Sequence, residues 1–346
     1  MAVIGDSDIA DLGKSTLREL GRMRFNQIAS ELQSYEIMGR MLRKDRMMFS
    51  HGLGLQRNIM TRHTGNVRQV GLHGQDEVNQ DDVMEQMQID FRHTTGNYVW
   101  ERRELLYNRN FSEIYDLLKS RRADLMIAWA EHLEDQGWSA PSSSSDKLNW
   151  WGIPYWIVKN STTTGFNAEN PSFAPSGRGG IDSTAHTRWA NYAFNYGSVT
   201  KLDAIAKMRT AMRKIRFKSP VKISDYSRGS GDNYRIYVNE TTMQDFENLG
   251  EGQNENLGRD LASMDDTMMF RRNPVIWVPK LDDDSDNPIY FINFRYAGLA
   301  CLSGDYMRET EPDKVEGQHN TWAVYVDLTS NFAFTDLRCQ AVGVQA

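Results

Sequence analysis

The spacing of apolar positions changes along this chain, and each change marks a different kind of element. Over residues 13–49, Leu17, Leu20, Ile28, Leu32, Tyr35, Met38 and Leu42 recur at three- and four-residue steps, which predicts helix. Gly13, Gly21 and Gly39 interrupt it. Each costs a helix up to ~1 kcal/mol relative to Ala, so broken helical pieces are expected. Over 51–104 the period falls to two: Met87, Ile89 and Phe91 alternate with Gln86, Gln88, Asp90 and Arg92. The centre of this stretch, 71–77, is polar and turn-rich. A long β-hairpin is expected, with arms of ~14 residues reaching ~45 Å. A free two-stranded ribbon is marginal in water, so it needs a surface to lie on, and a neighbouring copy of the chain is the simplest candidate.

Helical spacing returns at Asn110, where Glu113 stands as in a capping box. Phe111, Ile114, Leu118, Leu125, Trp129 and Leu133 form the apolar stripe, and Gly137 supplies a stop. That is ~40 Å of helix at 1.5 Å per residue. Residues 139–188 are mostly irregular, with a serine run, the aromatic run 150–156 and the glycine-rich 177–180. A loop region this long is functional or ordered by partners. A second helix is expected over 200–217, with Leu202, Ile205, Met208, Met212 and Ile215 inward. Strands follow at 234–238, 274–280, 288–297, 321–328 and 337–344, with a helical piece at 241–249 between them. The fold class is α+β, and no repeat of fixed period is present.

Composition adjusts this picture. The 346 residues are 40% hydrophobic and 25% charged, which places the chain among globular proteins large enough for two or three compact units. A mean hydropathy of −0.61 implies much polar chain in loops, arms or subunit contacts. The acidic opening MAVIGDSDIADLGK does not resemble a secretory signal. No apolar run nears the ~18 residues of a membrane span, so an aqueous compartment is expected. A net charge of −6 argues against a dedicated nucleic-acid binder, though not against a container wall around a polyanion.

Charge is also segregated locally. In the hairpin, Arg57, Arg62 and Arg68 are the only charges of the outgoing arm, while Asp76, Glu77, Asp81, Asp82, Glu85 and Asp90 crowd the tip and the returning arm. Facing opposite charges would help the register by ~0.2–1 kcal/mol per pair. Between residues 240 and 266, Glu240, Asp245, Glu247, Glu251, Glu255, Asp260, Asp265 and Asp266 face one base, Arg259. This stretch is either a solvated surface or an electronegative rim where copies meet.

Catalytic patterns fail on their own chemistry. Gly5-Asp6-Ser7 has no strand before it and no oxyanion loop. Asp282, Asp284 and Asp286 alternate as in a calcium loop, but that loop wants Gly at its sixth position and Glu at its twelfth, where Asn287 and Asn293 stand. The seven histidines are scattered without metal-binding spacing. The glycine-rich 227–232 lacks the lysine of a phosphate-cradling loop. Trp150, Trp151 and Trp156 are expected in packing rather than as a sugar platform, and Cys301 and Cys339 as buried free thiols. No catalytic residue, metal or cofactor is assigned.

The order of parts (helical arm, long hairpin, one long capped helix, irregular aromatic stretch, second helix, strand-rich region, closing strand) resembles the Hong Kong 97-type major capsid proteins of tailed bacteriophages over nearly the whole chain. The ending 326–344 is similar to the closing segment of such proteins. The resemblance implies an N-arm over 1–50, an extended E-loop over 51–104 and a P-domain with a long spine helix over 105–196, to which 321–346 returns. It implies an A-domain over 197–320 around the capsomer axes, with Glu247, Glu251 and Glu255 at an acidic rim. It further implies self-assembly into pentamers and hexamers of an icosahedral virion shell, built in the host cytoplasm without a membrane. The implied partners are a portal protein, separate scaffolding or decoration proteins, and double-stranded DNA held by non-specific contact. The chain departs from the members that cross-link through an E-loop lysine, because no lysine occurs between Lys44 and Lys119. Two other readings are an encapsulin-like nanocompartment shell and a soluble carbohydrate-active protein.

Overall fold

The computed structural model describes residues 34–42, 46–50, 52–72, 82–107, 111–216, 233–251 and 268–346. Most of the helical arm expected over 13–49, the Asn110 cap, the loop 227–232 and the hairpin-tip acids Asp76, Glu77 and Asp81 lie outside them. The strands in chain order are β1 (Arg46–Phe49), β2 (Gly54–Met60), β3 (Met84–Asp90), β4 (Arg92–Glu101), β5 (Gly165–Asn167), β6 (Asn191–Tyr196), β7 (Tyr234–Val238), β8 (Met269–Phe270), β9 (Asn273–Trp277), β10 (Ile289–Asn293), β11 (Ala297–Leu302), β12 (Arg308–Glu309), β13 (Asp313–Lys314), β14 (Thr321–Phe334) and β15 (Ala341–Gln345).

Two sheets organise them. One is built on the 14-residue β14, flanked along one edge by β11, β12 and β13 and along the other by β4, with β1 running parallel beyond β11. The other has the order β5-β6-β15-β10-β7-β9-β8. The strands β2 and β3 form a separate two-stranded ribbon. The long helix Phe111–Gly137 is present at 27 residues, with Leu118, Trp129 and Leu133 buried as the stripe predicts. It lies across β4 so closely that a Cβ at Gly96 would fall 2.5 Å from Trp129 Nε1. At its far end, Trp138 packs edge-on against Tyr237 of β7, which ties the helix to the seven-stranded sheet.

Several expectations are corrected. The returning arm of the hairpin is two strands: only β3 pairs with β2, and after Phe91 the chain leaves the ribbon so that β4 can pair with β14. The paired ribbon is therefore seven residues on each side. The 288–297 strand breaks into β10 and β11, which belong to different sheets. The second helix begins at Ala204 instead of 200, so Leu202 precedes it and is 91% exposed, while Met208, Met212 and Ile215 are buried. Asp203 fixes that start by accepting from the backbone N–H groups of Gly197 and Ser198. Both sheets take strands from either side of residues 196/197 and 320/321. Strand β6 and the closing β15 lie side by side in the seven-stranded sheet, and β11 to β13 join β14 in the other.

Both cysteines are buried free thiols, and burial pushes Cys301 up to about 12. Trp150 and Trp156 are buried against Phe332 and Phe334 of β14, and Trp151 stacks on Tyr155 at 4.7 Å. Asp284 and Asp286 share Lys159, while Asp282 accepts from the backbone N–H of Glu240 and from Trp277 Nε1. The alternating acids thus serve three separate local contacts.

Candidate inter-subunit surfaces

One buried cation joins several segments of the mostly irregular stretch 139–190. Arg178 has no solvent exposure and spreads its guanidinium over five neutral acceptors: Trp156 O, Asn167 O, Trp189 O, Asn191 Oδ1 and Ser183 Oγ, at 2.6–3.2 Å. Burial lowers its pKa to about 10. The planar fork of arginine suits this task, since its two terminal nitrogens carry four N–H donors in fixed geometry. Next to it, Gly179 has a positive φ of 64°, and a Cβ there would come within 2.9 Å of both Met87 and Trp156. The glycine allows the ribbon to lie directly on this platform.

The ribbon is seated accordingly. Met87 and Ile89 are fully buried, and Gln88 N donates to Gly179 O at 2.9 Å. His186 spans the junction, with Nδ1 at 3.1 Å from Thr61 Oγ1 and Nε2 at 3.1 Å from Glu85. The base of the hairpin therefore rests on its own subunit. Residues 62–72 form no regular element and all are exposed, with Val67 and Leu72 at 99% and 93%. Such apolar residues at full exposure on one contiguous stretch point to a partner surface.

Among the described residues, the β2–β3 pairing does not set the hairpin charges opposite one another. Arg57 stands opposite Met87, and Ile59 opposite Glu85. Arg62 donates through Nε to the backbone oxygen of Asp82, and the Asp82 carboxylate accepts from Met84 N. Asp90 gives its backbone oxygen to the buried Asn331, which also accepts from Trp151 N. Arg68 lies on the exposed stretch 62–72.

On the seven-stranded sheet, the helix Glu240–Glu251 buries Thr242 and Phe246 and exposes Glu240, Asp245 and Glu247. The side chain of Glu251 and the whole of Glu255 lie outside the described residues. Sequence reasoning missed the basic counterpart at the edge of this sheet. There Arg271 and Arg272 form the two-residue turn between β8 and β9, both with positive φ (48° and 67°), where Asn or Gly is usual. With Arg216 and Asn273 they line a cleft of about 520 Å³. The only signal was the Arg-Arg pair, indistinguishable in sequence from a solvated one.

Among the described residues no group of three or more His, Cys, Asp or Glu is placed to hold a metal ion, and no helix is long and apolar enough to cross a membrane. A different charged cluster joins the sheet to the long helix. Arg122 makes a two-pronged contact with Glu309 of β12, which also accepts from Tyr98 OH of β4 at 2.9 Å. Burial, then the Glu309 carboxylate, raises the Tyr98 hydroxyl above its ordinary value, and the hydrogen bond to Glu309 raises Arg122.

No family model matches the sequence, and no curated protein matches it. Solved structures do match in shape. The chain is similar to the cyanophage A-1(L) capsid asymmetric unit at 12% identity and a TM-score of 0.65, covering 93% of this chain and 95% of that one. It is similar to the capsid of the native GTA particle at 11% identity and a TM-score of 0.61, covering 94% of each. For the capsid of Myoviridae phage XM1 the values are 12% and 0.51, over 95% of this chain and 98% of that one. The fold is the Hong Kong 97-type capsid fold.

Proposed function

We propose that this chain is a major capsid protein, a non-enzymatic subunit that assembles with copies of itself into the icosahedral shell of a tailed phage. The observation that carries this reading is the exposed stretch 62–72, held out from a ribbon whose base is locked to its own subunit. In a monomer, Val67 and Leu72 would stay fully hydrated; on a neighbouring copy, each buries apolar area worth ~1.5–3 kcal/mol if covered completely. The fold supports the reading, because the solved structures it resembles are capsids.

In this reading residues 1–50 are the N-arm, 51–104 the E-loop, 105–196 with 321–346 the P-domain and 197–320 the A-domain. The acids Glu247, Glu251 and Glu255 stand near the capsomer axis. The hairpin residues Arg57, Arg62, Arg68, Asp76, Glu77, Asp81, Asp82, Glu85 and Asp90 lie where neighbouring subunits meet. Portal, scaffolding or decoration proteins and packaged double-stranded DNA are the expected partners, with assembly in the host cytoplasm.

Electron microscopy and light scattering of the purified protein test this. Closed megadalton shells are expected, and Val67→Asp with Leu72→Asp should abolish them while leaving the subunit folded. A protein that stays monomeric under all assembly conditions overturns the reading. Particles carrying DNA and a portal separate a phage shell from a nanocompartment that encloses proteins.

A further inference from the structure

Five arginines collect at one end of the seven-stranded sheet, and the topology explains why. The Tyr234 hydroxyl donates to Ile215 O at 3.2 Å, which ties the last turn of the helix Ala204–Ile215 to the first residue of β7. Strand β9 runs parallel beside β7 with Val275 opposite Ile236, so the Arg271–Arg272 turn that leads into β9 falls beside the end of that helix. Arg216, Arg271, Arg272 and Asn273 accordingly line one cleft. Arg209 and Arg213 stand one turn apart on the same side of the helix, and Arg216 follows Arg213 by three residues. A line of guanidinium groups therefore runs along the helix and into the cleft.

Arg216 is already engaged over the Tyr234 ring at 5.9 Å, and Lys207 of the same helix pairs with Asp203. The other four arginines carry charge that no carboxylate compensates among the described residues. Arg209, Arg271 and Arg272 are exposed and make no ion pair there. Arg213, also exposed, donates to Arg209 O and Thr210 Oγ1, both neutral oxygens. Cations in the last turn of a helix ordinarily complement its dipole. That accounts for Arg213 but not for Arg209, which precedes the last turn, or for a hairpin turn outside the helix. Arg271 and Arg272 moreover both hold positive φ, where Asn or Gly would relieve the strain. In a chain of net charge −6, such a concentration of positive charge fits an anionic occupant.

The chemistry of the patch narrows that occupant. A guanidinium fork matches the paired oxygens of a phosphate. No aromatic residue lines the cleft, so no base would stack there. Residues 209 to 216 span about 10 Å at 1.5 Å per residue, a length over which duplex DNA presents several phosphates, at roughly one charge per 1.7 Å of axis. We infer that Arg209, Arg213, Arg271 and Arg272 hold the phosphate backbone of the enclosed double-stranded DNA without reading its sequence. This rests on the shell reading; it assigns the residues of the DNA contact and turns this end of the sheet towards the interior. Each contact is weak by itself, and many copies along one wall multiply it without a net-basic subunit.

Fluorescence anisotropy of a short mixed-sequence DNA duplex, titrated with the unassembled subunit across a salt series, tests the contact. The wild type should show a log–log salt slope of about −3 to −4, as four phosphate contacts give. Arg209→Gln, Arg213→Gln, Arg271→Gln and Arg272→Gln in one chain should weaken binding at least about tenfold and bring the slope near zero. A control chain with Arg57→Gln, Arg103→Gln, Lys147→Gln and Lys314→Gln neutralises four exposed cations on other elements and should keep the wild-type slope. Circular dichroism checks that each variant folds. If the patch variant does not, Arg209→Gln/Arg213→Gln and Arg271→Gln/Arg272→Gln are measured separately, each expected to halve the slope. No duplex binding by the wild type overturns the inference, as does equal loss in the patch and control variants. Poly-glutamate bound as tightly as the duplex also overturns it and makes the patch a site for an acidic protein. Closed wild-type shells should bind added duplex far more weakly than the free subunit; equal binding would put the patch on the outer surface and overturn the inference. A wild-type subunit that binds duplex through these arginines but never forms shells supports the DNA contact and sinks the shell reading alone.

Discussion

Arg178 donates to Asn191 Oδ1 at 2.6 Å inside the protein, where among the described residues no carboxylate pairs with the buried guanidinium. The neutral acceptors around it come from residues 156, 167, 183, 189 and 191, several segments of the chain. It is the internal clasp of the platform on which the hairpin rests, and it ties together segments of the mostly irregular stretch 139–190.

Arg178→Met should therefore cost about 3 kcal/mol or more, since it leaves several buried carbonyls without donors. Arg178→Lys should rescue little, because an ammonium has only three donors and no planar fork. Chemical denaturation of the unassembled subunit measures both; stability within 1 kcal/mol of wild type for the Met variant would refute the clasp.

The same region should loosen in acid. Asp146 is held down at about 2 by the Asn149 side chain and backbone N–H, and Asp182 at about 2 by the hydroxyl of Thr184 and the Asn170 side chain. Both folded values lie below the ordinary 3.8, so the stability they confer is present above that value and is lost as pH falls towards 2. Tryptophan fluorescence should report a transition between pH 4 and 2, and Asp146→Asn with Asp182→Asn should shrink it.

His186 ties the hairpin to the body through Thr61 and Glu85. In His186→Ala, limited proteolysis of the unassembled subunit should cut residues 62–72 several-fold faster, with no change in global melting. Unchanged cleavage would mean that Met87 and Ile89 alone seat the ribbon.

Glu309 holds Arg122 of the long helix and Tyr98 of β4 at once. Because the Arg122–Glu309 pair is partly solvated, Glu309→Gln should cost only about 1 kcal/mol. A double-mutant cycle with Arg122→Gln should show coupling of similar size, and none would mark the pair as incidental.

Mature particles heated in denaturant should run as a single monomer band. The hairpin has no lysine, since none occurs between Lys44 and Lys119, so an amide cross-link from it has no amine. A covalent ladder on the gel would contradict this.

Local pattern carried those parts of the fold whose stabilising contacts lie close in sequence. The stripe Leu118, Trp129 and Leu133 announced the long helix, and the alternation of Met87 and Ile89 announced the strand that packs on Gly179. The apolar content of Tyr234–Val238 gave that strand its bounds. The failures share a cause. Nothing near Phe91 says that the next strand pairs with β14, some 230 residues later, instead of with β2. Nothing near Ala341 says that it joins Tyr192. Arg57 and Arg62 looked like one half of a charge ladder because composition does not encode register, and one strand's register decides which residue stands opposite.

The sequence by itself determined the α+β class, the helix and strand periods, the hairpin and the missing lysine, because each depends on residue type and short-range spacing. Only the tertiary structure decided that Arg178 is a buried clasp, that the hairpin base is seated at home while 62–72 is left bare, and that Arg271 and Arg272 open a basic cleft. Those facts depend on which distant segments exclude water from one another. That exclusion is a property of the packed chain, and no local stretch of residues encodes it.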